Sequence, residues 1–198
     1  MNNKRHGYSV LELMLTVAVA GVLAAVGVPT FTNLALDSRR TAVANELLAD
    51  LVLARGEAIK RGQPLVVCGI SDSNRNGSLD PAERHCAGHD WTDGWMVGTW
   101  ADLNHDGVVG SDELSPLRES LTGAAGRLTV IAGNFSASPP VGPAGTAVIK
   151  GFSRRSSNGT ITLCDRRGPR QARAVIVSPN GRARVSATRP DGSAPVCP

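Results

Sequence analysis

The chain has 198 residues, 41% hydrophobic and 19% charged, with a formal net charge of +4. That length is enough for one domain plus a long helix, and the composition excludes a disordered chain. The charge is unevenly held: from Lys150 onward ten cations (Lys150, Arg154, Arg155, Arg166, Arg167, Arg170, Arg173, Arg182, Arg184, Arg189) face two acids (Asp165, Asp191), so the C-terminal quarter carries +8 and the rest −4. Such asymmetry points to a phosphate-rich or otherwise anionic partner for the C-terminal part.

A short leader with two cations, Lys4 and Arg5, precedes an aliphatic run from Val10 to Val28 whose one charge is Glu12. About 20 such residues, rising ~1.5 Å each as a helix, are long enough to cross a bilayer core. The cations before the run, and the lack of an Ala-x-Ala site after it, argue against a cleaved secretory signal. Positive charge on the short tail holds that end in the cytoplasm, which sends everything beyond Pro29 to the other side. A carboxylate within the run costs roughly 2.5 to 3.5 kcal/mol on the moderate scales, so it is usually functional and paired; the plainer alternative is a polar residue near a helix end that reaches the interface.

Lys4-Arg5-His6-Gly7, then an aromatic, then an acid as the fifth residue after the glycine, then Pro29, resemble a class III signal sequence of the type IV pilin superfamily. The resemblance implies cleavage after Gly7 by a prepilin peptidase and N-methylation of Tyr8, which stands where Phe is more usual, as Ser9 stands for Thr. It also implies that Glu12 meets the N-terminal amine of a neighbouring subunit in a filament. The new ammonium and Glu12 would neutralise each other in an apolar filament core where either alone is badly placed.

Pro29 is expected to kink the helix at the membrane boundary. Beyond it, Val43, Leu47, Leu51, Ala54 and Ala58 recur at three- and four-residue spacing, with Leu48 and Val52 widening the stripe of an amphipathic helix. Glu57 and Arg61 stand one turn apart for an ion pair, and Gly62 with Pro64 ends the helix. One helix is therefore predicted from about Tyr8 to Arg61.

Eight short apolar or alternating runs follow, separated by Gly, Pro, Asn and Asp, as expected of antiparallel sheets: Leu65–Ile70, Gly94–Trp100, Leu114–Ser120, Arg127–Ala132, Thr146–Phe152, Thr160–Asp165, Ala172–Ser178 and Arg182–Ala187. Ser136 to Gly145 reads as a loop. Four cysteines in an exported chain suggest two disulfides. Three connectivities are open; the local pairs Cys68–Cys86 and Cys164–Cys197 are favoured, because each closes a loop poor in hydrophobic residues. No Cys-x-x-Cys spacing suggests zinc.

In this order come a cysteine-ending strand, Asp90-Trp91-Thr92-Asp93-Gly94-Trp95, an acidic loop leading to Leu117-Arg118-Glu119, Leu163-Cys164-Asp165 and Ser178-Pro179-Asn180-Gly181-Arg182. The series is similar to the GspH/FimT group of minor pilins and pseudopilins over almost the whole chain. It implies an α+β, pilin-like fold: a long N-terminal helix, transmembrane in its first half, packed on a domain of antiparallel β-sheets. The expected organisation is a leader at 1–7, a transmembrane and filament-core helix at 8–29, an amphipathic helix at 30–62 and a β-rich domain at 63–198. Before assembly the chain would sit in the bacterial inner membrane with that domain in the periplasm. The expected partners are other pilin or pseudopilin subunits and the prepilin peptidase.

Asp102-Leu103-Asn104-His105-Asp106-Gly107 with Glu113 has the spacing of an EF-hand calcium loop, as does Asp72-Ser73-Asn74-Arg75-Asn76-Gly77 with Asp80 and Glu83. Against a cation stand the strand-like flanks of the Asp102 loop and Arg75 within the other; the alternative is turns in which Asp and Asn cap their own backbone. His6, His85, His89 and His105 align with no cysteine or serine nucleophile. A dyad of His89 with Asp90 or Asp93 is outweighed by a solvated acidic loop, so no enzyme is expected. Trp91, Trp95 and Trp100 read as core or disulfide-packing residues.

Asn180-Gly181 is a hairpin signal. On the strand after it Arg182 and Arg184 share one face, about 6.6–7 Å apart, and Ala183 and Val185 the other. Forked guanidiniums at that spacing suit neighbouring phosphates. Arg166, Arg167, Arg170 and Arg173 lie on or beside the partner strand and would extend the patch. Gly181-Arg182-Ala183-Arg184 resembles the Gly-Arg-x-Arg motif of FimT-type minor pilins, which implies binding of double-stranded DNA during natural transformation. The rival expectations are a GspH-type pseudopilin of a type II secretion system or a pilus-tip primer, with arginines that meet protein alone, and, more distantly, a calcium-regulated adhesin.

Overall fold

A computed structural model of the chain describes residues 9–74, 76–106, 113–122, 128–133, 135, 145–150 and 156–198. The leader, Gly7, Tyr8, Arg75, Arg154, Arg155 and most of the Ser136–Gly145 loop lie outside the described residues. The first element is the helix α1, Val10–Arg61, with Pro29 inside it and Lys60 and Arg61 in its last turn, where cations suit the helix dipole. Thr30 and Thr32 donate their hydroxyls to the carbonyls of Val26 (3.0 Å) and Pro29 (2.8 Å). Those bonds occupy the carbonyl oxygen of Val26, three residues before the proline, and that of the proline itself, which has no N–H of its own.

The chain divides into two units after Arg39. In the first, side chains from Val10 to Leu34 stand exposed, and apart from Glu12, Thr16, Thr30, Thr32 and Asn33 the helix surface that lies open is apolar. This helix is long and apolar enough to cross a membrane. Glu12 lies in its first turn, where a carboxylate meets the positive end of the helix dipole.

The second unit, Arg40–Pro198, places the rest of α1 with two antiparallel four-stranded sheets. The first sheet has the order β3-β2-β1-β5, from β1 (Leu65–Ile70), β2 (Gly94–Trp100), β3 (Leu114–Leu121) and β5 (Ala147–Ile149). The second has the order β4-β6-β7-β8, from β4 (Leu128–Ala132), β6 (Gly159–Asp165), β7 (Arg173–Val177) and β8 (Ala183–Ser186). All eight strands fall within the predicted runs or extend one residue beyond them.

Alternation decides which face each strand buries. Leu65, Val67, Trp95, Val97, Ala147 and Ile149 of the first sheet pack with Val130, Ala132, Ile161, Leu163, Val175 and Val177 of the second. Val43, Leu47, Leu51, Ala54 and Ala58 of α1 join the same core, as their spacing predicts. Val52 does not: it is 60% exposed, so the apolar stripe is narrower than expected on that side. Glu57 and Arg61 form the expected ion pair at 2.7 Å.

Both favoured disulfides are present. Cys68–Cys86 ties the segment after β1 over the outer face of the first sheet, where Val66, Ile70, Leu79 and Met96 form a second cluster beside Trp100. Cys164–Cys197 ties the C-terminal tail to β6. Trp91 and Trp95 are fully buried in the main core, in keeping with their expected role.

Candidate nucleic-acid interface

The arginine-bearing hairpin is built by β7 and β8, whose register pairs Val177 with Ala183 and Ile176 with Arg184. Its turn has three residues, Pro179-Asn180-Gly181. Gly181 N donates to Ser178 O (2.8 Å), Ser178 N to Arg182 O (2.9 Å), and Arg182 N to Asn180 Oδ1 (3.1 Å). Gly181 has φ +71°, the left-handed conformation that closes such a loop. A Cβ there would stand 3.0 Å from Ser156 Oγ and 3.6 Å from Arg55 Cδ. Ser156 N in turn donates to Pro179 O (2.8 Å), so the turn is held against its surroundings on both sides.

That framework aims two cations outward. Arg184 shares the outer face of the second sheet with its partner Ile176, away from core-facing Val175 and Val177. Arg182 flanks the same strand one side-chain repeat earlier. Both are exposed, and neither forms a side-chain ion pair among the described residues. Arg55 of α1 lies beside the turn; sequence gave no sign of this, since nothing in the helix pattern tells which strand turn it will meet.

The other predicted arginines lie elsewhere on the sheet. Arg166 is exposed in the turn after β6, and Arg170 is exposed in the 3-10 turn Pro169–Gln171. Arg167 is clamped on Asp165 through Nη2 (2.6 Å) and Nε (3.0 Å). Arg173 sits on the core-facing side of β7, opposite Leu163, with Nη1 donating to Ala172 O (3.0 Å). It is three residues from Ile176, about 10 Å along the strand, and on the opposite face from Arg184. The hairpin thus brings Arg182 and Arg184 together and puts Arg166, Arg167, Arg170 and Arg173 at its other end.

Asp165 also meets Arg40, which is 3% exposed, at 3.5 Å. Above all the Arg167 side chain, then its backbone N–H and the charges of Arg167 and Arg40, hold the Asp165 carboxyl below its ordinary value, against the opposing effect of burial.

In the acidic loops, Asp102, Asp106 and Glu113 bring one oxygen each within 4.8 Å of one another. Glu113 is already engaged: Oε1 accepts Leu103 N (2.9 Å) and Asn104 N (3.2 Å), and Oε2 accepts Trp100 Nε1 (3.2 Å). Asn104 donates its amide to Asp106 (2.9 Å) and accepts Asp106 N (3.0 Å). The earlier loop is tied likewise, with Asp72 accepting Asn76 N and Gly77 N, and Glu83 accepting Ser73 N and Asp80 N. In both loops Asp and Asn side chains thus cap backbone N–H groups of their own turn. His89 Nδ1 lies 2.8 Å from Ala132 O, while Asp90 accepts Thr92 N and Asp93 accepts Asp72 N, so the three groups serve backbone contacts.

The family model of the type II transport protein GspH matches residues 43–181. The chain belongs to the GspH family. A type IV major alpha-pilin of Moraxella bovis is 28% identical over 81 residues, 41% of this chain and 51% of that protein, so the chain spans about half the length of this curated relative. Two crystal forms of the Pseudomonas aeruginosa type IV minor pilin FimU also resemble it, each at 20% identity. Their TM-scores are 0.47 and 0.48, covering 78% and 80% of this chain and 96% and 93% of theirs. The GspH match ends at Gly181, so Arg182 and Arg184 stand just beyond the residues that establish the family.

Proposed function

We propose that this GspH-family chain is a minor pilin that binds the backbone of double-stranded DNA through Arg182 and Arg184. The observation that carries it is the hairpin itself: two exposed arginines on one face, on a turn fixed by Gly181 and Ser156, within a C-terminal quarter of net +8. Attraction there is to phosphate and released counterions, so it is sequence-independent and weakens with salt. α1 anchors the subunit in the inner membrane and carries it into a filament of pilin or pseudopilin subunits. Prepilin peptidase cleaves after Gly7, Tyr8 is methylated, and Glu12 meets the new amine of a neighbour. In this arrangement the β-rich domain faces the periplasm.

Full-length protein in neutral detergent should retard duplex DNA at low salt. Arg182→Ala/Arg184→Ala should reduce the slope of log K against log salt by about two, one per lost phosphate contact. No retardation at low salt refutes DNA binding. The family description, a type II transport protein, favours a second reading in which the chain is a pseudopilin with protein contacts alone; under it the double variant would lose filament or secretion function with no DNA bound by either form. Glu12→Ala tests assembly: the variant should be absent from sheared filaments while the uncut precursor is still processed, and entry at the wild-type level refutes the pairing.

A further inference from the structure

The outer face of the second sheet is not bare. Cross-strand register places Thr160, Ile176 and Arg184 in one row on β6, β7 and β8. Ile176 is only 5% exposed and Ala174 is fully buried, although both point away from the core. The C-terminal tail runs over this face and is tied to β6 by Cys164–Cys197. Before that tie it makes a closed turn: Arg189 N donates to Ser193 O (2.9 Å), and Gly192 N to Arg189 O (3.0 Å). Asp191 spends Oδ1 on the N–H and hydroxyl of Ser193 (2.9 and 2.6 Å).

Arg189 and Pro190 of this turn line a cavity of ≈ 250 Å³ together with Thr160 and Ile176 of the outer face and the neighbouring Gly133, Asn158, Gly159 and Val177. At ~30 Å³ per water in the liquid, the space equals about eight waters. That exceeds a bare phosphate and falls just short of the ~300 Å³ at which pockets for drug-sized ligands begin. To this lining Arg189 adds a cation, Thr160 a hydroxyl and Ile176 an aliphatic side chain, while the Val177 side chain faces the core, and Ile176 is the register partner of Arg184. Directly paired strand residues are about 4.5–5.5 Å apart at Cα, so the cavity opens beside the proposed DNA contact.

We infer that this cavity is a nucleic-acid subsite that seats one sugar–phosphate unit of the strand held by Arg182 and Arg184, with Arg189 on the phosphate and Ile176 and Pro190 against the sugar. The inference rests on the DNA-binding reading and adds to it a third arginine, a concave site and a device that sets both, the disulfide-tied tail. The tail carries no secondary structure across this face. Its course there depends on the Cys164–Cys197 tether.

The test uses the full chain in neutral detergent, a blunt duplex as probe and salt-dependent binding as readout. Arg189→Ala should weaken binding several-fold and lower the salt slope by about one. Thr160→Val, equal in shape and unchanged in charge, should weaken binding two- to five-fold with the slope unchanged. Arg84→Ala removes a cation from the other sheet's side of the domain, where it pairs with Glu119 at 2.8 Å, and should leave binding as it was. Cys164→Ser/Cys197→Ser, checked for folding by near-UV circular dichroism, should match Arg189→Ala, and adding Arg189→Ala to it should cost nothing further. If Arg189→Ala and Thr160→Val bind like wild type while Arg182→Ala/Arg184→Ala does not, the subsite is refuted and the DNA reading stands. If Arg84→Ala weakens binding as much as Arg189→Ala, the effect is overall charge and the subsite is refuted. If wild type binds no DNA, both are refuted.

Discussion

Asp50 is the residue whose loss the domain should feel most. It lies on α1 at 1% exposure, and Oδ2 accepts the indole N–H of Trp95 (2.8 Å) and the hydroxyl of Ser120 (2.7 Å), while Oδ1 pairs with Arg118. One carboxylate thereby joins the helix to β2 and β3. Asp50→Ala leaves two donors orphaned in residues that are 0% and 4% exposed, and each orphan costs about 1–3 kcal/mol. Arg118, with its side chain 48% exposed, recovers water and adds little. Removing the carboxylate also removes its own burial penalty, so the net loss should be ~2–4 kcal/mol. Urea unfolding of the full chain in detergent, followed by tryptophan fluorescence, should show a lower midpoint at unchanged m. Arg118→Ala leaves the buried Asp50 carboxylate its two hydrogen-bond donors but not its cation, and should cost less than Asp50→Ala. An Asp50→Ala loss below ~0.5 kcal/mol, or an equal loss in Arg118→Ala, would refute the account that buried donors dominate.

Three further outcomes follow from the same contacts. Asp165, with its folded pKa lowered chiefly by Arg167, stabilises the fold above its unfolded value of about 3.9 and loses that contribution as pH falls through the lower folded value; Asp165→Asn should flatten this acid limb and lower stability at neutral pH, where Arg40 stays buried, as urea midpoints across pH will show. Gly181→Ala forces a side chain into φ +71° against Ser156 Oγ, so thermal unfolding should report a loss of ~1–2 kcal/mol, and DNA binding should weaken as Arg182 is re-aimed. Cys68→Ser/Cys86→Ser opens a loop of sequence separation 18 and should lower stability by roughly 3 kcal/mol in the same assay.

How far the sequence discloses this molecule depends on whether a residue's partner is local. β1 and β2 are bounded as predicted because apolar runs meet Pro64, Gly94 and the turn residues that follow, all close in sequence. Asp50 and Arg40 show the opposite case. Position 50 follows Leu47 by three and precedes Ala54 by four, and position 40 precedes Ala44 by four, so both acid and base stand on the buried stripe of α1. That spacing was the available signal, and it marks burial without naming a partner. Trp95, Ser120 and Asp165 lie 45, 70 and 125 residues away, and sheet register alone brings them there. The C-terminal charge obeys the same logic. Counting gives +8, yet folding consumes part of it: Arg167 is bound by Asp165, and Arg173 turns to the core-facing side. The tail from Ala187 has no periodicity to read, but a cysteine next to its end, tied to β6, brings Arg189 over the sheet. The cations available to an outside phosphate are therefore set by register and tether, which is why the patch has to be tested residue by residue, with Arg189 in it.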